Sequence, residues 1–204
     1  MNRKVPLSVA NIIALILVLA ALYFSTLFDF LLFHTLAELF SIVVAFAIFV
    51  IAWNTRHIQN NGYFLLLGIA YLFVGLIDLA HTATYKGMMV FQARDADTPT
   101  QLWIIARYLE SASLFIAPLF FSKKFRPSLV MTLYALVTGF FFWSIYADVF
   151  PVCFVEGEGL TPFKKISEYI ICAILVGAFF MLYAKRTQFT PGIFQLLAAS
   201  IALT

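Results

Sequence analysis

The 204-residue chain is 63% hydrophobic, 18% aromatic and 11% charged, with 13 Lys and Arg against 10 Asp and Glu for a formal net charge of +3. Soluble domains carry roughly 25% charged residues, so a water-soluble globule is excluded, and so is nucleic-acid binding, which needs a denser basic surface. Two cysteines, Cys153 and Cys172, with no CxxC pair, indicate neither a disulfide framework nor a zinc module.

A bilayer core of about 30 Å takes roughly 20 apolar residues in helix. The first charge-free run, Val5 to Phe28, meets that length. Arg3 and Lys4 precede it as in a signal peptide, but the exit Ala-Leu-Tyr-Phe-Ser-Thr lacks an A-x-A-like cleavage site, so the run reads as an uncleaved helix. Further spans are predicted over Leu31–Trp53, Gly62–Tyr85, Gln101–Phe121, Ser128–Ala147, Thr161–Ala184 and from Thr190 to the end. Runs such as IIALILVLAALYF are apolar on every side, whereas a membrane β-barrel needs short alternating strands. The fold class is therefore an all-α integral membrane protein, a polytopic bundle of seven transmembrane helices forming one domain over residues 1–204.

Lys and Arg concentrate on the cytoplasmic side of membrane proteins. An N-in topology places Arg3, Lys4, Arg56, Lys123, Lys124, Arg126, Lys185 and Arg186 inside, against Lys86, Arg94, Lys164 and Lys165 outside. The last segment, opening Thr190-Pro191-Gly192, then runs outward and stops at Thr204 without a flanking charge, as a fragment of a longer chain would.

Ionisable side chains within spans are costly and mark functional sites by default. The second span carries His34 and Glu38, the third Asp78 and His81, the fourth Arg107 and Glu110, the sixth Glu168. Spacings of three and four put each pair on one helix face. Counted from the outer helix ends at 1.5 Å per residue, the first six lie roughly 5 to 13 Å deep, and Glu168 enters the same layer with Lys164 a turn above it. Charges that coincide in depth on several helices imply one polar cavity near the outer face, with His34, Glu38, Asp78, His81, Arg107, Glu110 and Glu168 as candidate ligand-binding residues.

Two histidines with carboxylates suit a borderline divalent ion such as iron, manganese, zinc or copper, with His34, Glu38, His81 and Glu110 as its candidate ligands. With neutral histidines, Glu38, Asp78, Glu110 and Arg107 leave two negative charges, which such an ion neutralises. Alternatives stay open: a small organic or anionic molecule on the Arg107 fork, Arg107 paired internally with Asp78 or Glu110 in a purely structural network, or a transport path. Haem between two histidines is a weaker reading, since no CxxCH attachment motif is present. Elsewhere, GFFFW (139–143) reads as lipid-facing or packing surface, Trp53, Trp103 and Trp143 as a partial interfacial belt, and Pro118 as a kink. The outer stretches 91–100, with Arg94, Asp95 and Asp97, and 155–163, with its flexible glycines and a helix start at Thr161-Pro162, are solvated turns or covers for the cavity.

The segments FHTLAELFSIVVAFAIFVIAWN (33–54), LGIAYLFVGLIDLAHTATYKGM (67–88), TQLWIIARYLESASLFIAPL (100–119) and CFVEGEGLTPFKKISEYII (153–171) resemble the third of the membrane-associated sensor domain families of bacteria and archaea. The resemblance spans nearly the whole chain, and its segments contain His34, Glu38, Asp78, His81, Arg107 and Glu110. It implies an N-terminal sensor in the inner membrane, not an enzyme, acting on a cytoplasmic histidine kinase, diguanylate cyclase or PAS module in the same polypeptide, as a homodimer. No kinase, cyclase or PAS sequence lies within the 204 residues. The rival readings are a transporter fragment, an intramembrane metalloenzyme fragment and a plain anchor. Against the first, the second and third spans hold no ionisable residue in their inner halves; against the second, there is no HExxH string.

Overall fold

The computed structural model describes residues 9–58, 61–88, 90, 96–121 and 123–204. Seven α-helices run in chain order: α1 (Val9–Phe28), α2 (Phe30–Thr55), α3 (Gly62–Thr84), α4 (Asp97–Ile116), α5 (Pro127–Tyr146), α6 (Pro162–Ala184) and α7 (Pro191–Leu203). A hairpin of two short antiparallel strands, β1 (Phe154–Val155) and β2 (Gly159–Leu160), sits between α5 and α6. α2, α3, α4 with the turn that follows it, α5 and α6 are long and apolar enough to cross a bilayer, and the described part of the chain adds shorter apolar stretches at Ile16–Phe28 and Pro191–Leu203. The protein is thus an all-helical, multi-pass membrane protein. Arg3, Lys4, Arg94 and Asp95 lie outside the described residues.

Helix boundaries follow from local chemistry. Asp29 breaks α1 from α2 and caps the latter, its carboxylate accepting from Leu31 N at 3.0 Å. Asn61 caps α3 the same way through Tyr63 N, and Thr161, followed by Pro162 in the first turn, caps α6 through Lys164 N. Two boundaries differ from expectation. α4 begins at Asp97, one turn before Gln101, because the Asp97-Thr98-Pro99 opening is itself a good first turn. At its other end Pro118 gives a 3-10 turn over Ala117–Phe120, since proline has no N–H for the α-helical bond to Leu114.

α3 and α4 are the axis of the bundle: 61% and 56% of their spans are buried, against 17–22% in α2, α5 and α6. Leu129, Leu133 and Leu136 on α5, and Phe40 and Val43 on α2, are exposed, as suits side chains that face lipid. Within GFFFW the two expected roles divide: Phe140 and Trp143 are exposed, while Phe141 and Phe142 pack on a core of Ile77, Leu102, Ile105, Ala106 and Ile145.

The closest helix pair is α2 with α3, and small residues explain why. A Cβ on Gly68 would overlap Ala52 Cβ, and one on Gly75 would lie 3.2 Å from Ala45 Cβ. Ala45 and Ala52 are seven residues apart on α2, as Gly68 and Gly75 are on α3, so two backbones meet along a heptad-spaced seam of small side chains. The same antiparallel register carried one heptad outward sets Glu38 opposite Thr82, beside His81. Packing of small residues in the apolar half thus fixes which polar residues face each other in the outer half.

The outer connections are pinned to α4. Asp97 Oδ1 accepts from Cys153 N at 2.6 Å and Phe154 N at 2.7 Å, and Gln101 Nε2 donates to Pro151 O at 3.2 Å. The hairpin turns on Gly157 and Gly159, both at φ 87°, and Glu156 at its tip pairs with Lys86 beyond α3 at 2.7 Å. Both cysteines are free thiols. Burial, with the Asp97 carboxylate adding to it, pushes the Cys153 thiol up to about 12. Because the thiolate is the nucleophile, Cys153 is expected to stay unlabelled by maleimide at pH 8 in a Cys172→Ala background, read by mass spectrometry; stoichiometric labelling of the folded protein would contradict this packing.

Candidate functional site

The six polar residues of α2, α3 and α4 meet, but as two groups. In the first, Arg107 bridges two carboxylates: its Nη2 donates to both oxygens of Asp78 at 3.0 and 2.8 Å, its Nη1 donates to Glu110 Oε2, and Tyr71 OH donates to Glu110 Oε1 at 3.1 Å, while its buried Nε has no partner among the described residues. Asp78 and Glu110 are buried and the Arg107 side chain is only 18% exposed. Charge-assisted hydrogen bonds of this kind are among the stronger polar contacts a protein makes. It straps α3 to α4 in the middle of the bundle.

The second group is His34, Glu38 and His81. One donor atom from each lies within 4.8 Å of the others. The imidazole rings of His34 and His81 stand edge to face with centroids 5.5 Å apart, and Tyr85, at the end of α3, lies 4.0 Å from His34. His81 Nδ1 is 2.7 Å from the Pro99 carbonyl of α4. A carbonyl can only accept, so the proton sits on Nδ1 and the Nε2 lone pair is free. That Nε2, like His34 Nε2, is buried without a hydrogen-bond partner. Buried polar atoms are nearly always satisfied, so two orphaned imidazole nitrogens beside a carboxylate are an exception that asks for a partner.

This donor set suits a transition metal. Imidazole and carboxylate are ligands for zinc, iron, manganese and copper, and a ligating histidine normally donates its other N–H to a carbonyl, as His81 does to Pro99. Three ligands leave coordination positions for water or a further ligand.

Glu110 and Glu168 lie elsewhere than their spacing implied. Glu110, placed by sequence among the metal ligands, turns to Arg107 and Tyr71. Glu168 pairs with Lys164, whose ammonium lies 3.7 Å over the Trp103 ring, and it shares with Arg107 a lateral groove against α6 outside the histidine group. Helical spacing gives the face of a residue but not which of two adjacent partners its side chain chooses. Three participants escaped the sequence reading: Tyr71, Tyr85 and the Pro99 carbonyl. A signal for two of them existed, since Tyr71, Asp78 and Tyr85 recur every seven residues on one stripe of α3.

Residues 25–204 match the model of a family described as a membrane-associated sensor domain, MASE3. No curated protein and no solved structure matches the chain.

Proposed function

From the premise that the chain belongs to the membrane-associated sensor domain family, we propose that its input is a divalent transition metal ion held by His34, Glu38 and His81, and that binding there is relayed to a cytoplasmic signalling module. The observation that carries this reading is the pair of buried, unpartnered imidazole nitrogens beside Glu38. Charge supports a cation over an organic anion. Both Arg107 Nη groups are taken by Asp78 and Glu110, which leaves only a buried Nε, so that group is net negative, and Glu38 adds a second negative charge nearby.

The geometry also supplies a motion. A tetrahedral ion with bonds of about 2.1 Å holds its donors roughly 3.4 Å apart, whereas the present donors spread over as much as 4.8 Å. Drawing His81 toward the two α2 donors therefore favours a state in which the outer end of α2 closes on α3. The contacts of Ala45 and Ala52 with Gly75 and Gly68 leave no room for α2 to translate, so closure becomes a tilt about that seam. Glu38 lies roughly 16 Å on one side of the middle of the seam and Thr55 roughly 10 Å on the other, so the far end of α2 moves the opposite way by somewhat more than half as much, a helix shift of the kind that switches signalling interfaces. With the basic loops inside, that end faces the cytoplasm, where a histidine kinase, diguanylate cyclase or PAS module of the same polypeptide, paired in a homodimer, reads the change.

Metal content of the detergent-purified domain tests the reading. After exposure to Zn²⁺, Mn²⁺, Fe²⁺ or Cu²⁺ and desalting, about one ion per chain is expected, and background only in a His34→Ala, His81→Ala variant of unchanged helix content. Equal retention by both proteins, or by neither, would end the proposal.

A further inference from the structure

The opposite end of the bundle holds a second, independent feature. Between the α2–α3 connection and the loop entering α5 lies a cavity of about 320 Å³ whose lining includes Arg56, His57, Asn61, Gly62, Lys123 and Lys124. The loops 54–61 and 121–127 contain no Asp or Glu, and among the described residues no acid lies at this end. Lys123, Lys124 and His57 are exposed, and no ion pair to a carboxylate involves them or Arg56 among the described residues.

α5 starts at Pro127 on the rim without a side-chain cap on its first turn, so its leading backbone N–H groups are open to an anion. The cavity is also built tightly on one side, since a Cβ on Gly62 would meet the Phe120 and Lys123 carbonyls. Leading away from Pro127, α5 exposes Leu129, Leu133 and Leu136, an apolar track at helical spacing.

A cationic concavity at helix-end depth, with exposed leucines on the helix that leaves its rim, is complementary to an amphiphile with a negative head. The geometry points to a binding site for the phosphate headgroup of an anionic phospholipid, with Lys123 and Lys124 facing the phosphate, Arg56, held by the Trp53 carbonyl and ring, adding its charge from the wall, and an acyl chain lying along α5. Polybasic sites at the cytoplasmic surface recognise anionic lipids in this way. Occupancy would clamp the α2–α3 and α4–α5 connections together, and this site does not depend on the histidine group.

Native mass spectrometry of the detergent-solubilised chain, with phosphatidylglycerol or phosphatidylcholine added, tests it. Phosphatidylglycerol is expected to be retained preferentially, and Lys123→Gln, Lys124→Gln to lower its retention roughly 30-fold, from about fivefold per charge. Removing the same charge from the neighbouring loop, Lys185→Gln, Arg186→Gln, is expected to change it by less than about twofold. If the first double variant loses helix content, Lys124→Gln alone, with its roughly fivefold effect, decides. Equal retention of the two lipids, or equal loss in both double variants, would overturn the site in favour of diffuse attraction. Displacement of phosphatidylglycerol by equimolar inorganic phosphate would overturn the lipid in favour of free phosphate.

Discussion

Arg107→Leu is expected to destabilise the folded domain by about 3–5 kcal/mol, the usual cost of removing one partner from a buried ion pair. Asp78 and Glu110 would be left as two buried, facing carboxylates in a membrane bundle, where water cannot replace the guanidinium. For a domain of this size, that corresponds to a fall of roughly 10 °C in the thermal midpoint, measured in detergent by circular dichroism. The cost belongs to orphaning, not to the loss of an attraction that stabilises on its own account. A triple variant, Arg107→Leu with Asp78→Leu and Glu110→Gln, which keeps an acceptor for the Tyr71 hydroxyl, should therefore recover most of the loss. A midpoint change in Arg107→Leu equivalent to under about 1 kcal/mol would mean the pair is solvated like a surface one, and the strap between α3 and α4 would need another source.

Much of this architecture is written in the chain, and it is clear which physics makes it so. Spans are legible because the bilayer demands length and apolarity of each one separately, so α2, α3, α5 and α6 fall within a residue or two of expectation. The shared layer of His34, Glu38, Asp78, His81, Arg107 and Glu110 was also legible, because depth is a one-dimensional property that counting along a helix recovers. Its division was not. Whether Glu110 faces His81 or Arg107 depends on side-chain direction and on the offset between neighbouring helices, which are properties of the packed pair. That offset between α2 and α3 is set by Ala45, Ala52, Gly68 and Gly75, residues with no chemistry to attract notice in a sequence so rich in small and apolar side chains. The beginning of α4 was missed for a related reason: polar Asp97-Thr98-Pro99-Thr100 looks like loop to a hydropathy count, though it is a sound helix start once Asp97 is seen anchoring Cys153 and Phe154.

If that seam sets the geometry of the histidine group, a methyl group placed on it should be felt at the far end of α2. Gly68→Ala puts a Cβ into Ala52 Cβ, and overpacking of this kind costs about 1–3 kcal/mol. The helices can relieve it only by separating or sliding, and either moves Glu38 and His34 relative to His81. Metal affinity of the Gly68→Ala protein is expected to fall by roughly tenfold, about 1.4 kcal/mol, although the substitution lies some four turns of α2 from Glu38 once Ala52 is taken as the contact, or about 20 Å. Adding Ala52→Gly returns the missing space and should restore both affinity and thermal midpoint, a non-additivity that identifies the contact as the cause. Gly139→Ala, where a Cβ meets nothing within 4 Å, is the control and should leave both unchanged. Loss of stability in Gly68→Ala with metal affinity intact would show that the seam supports the bundle without setting the site, and the tilt of α2 about it would then lose its pivot.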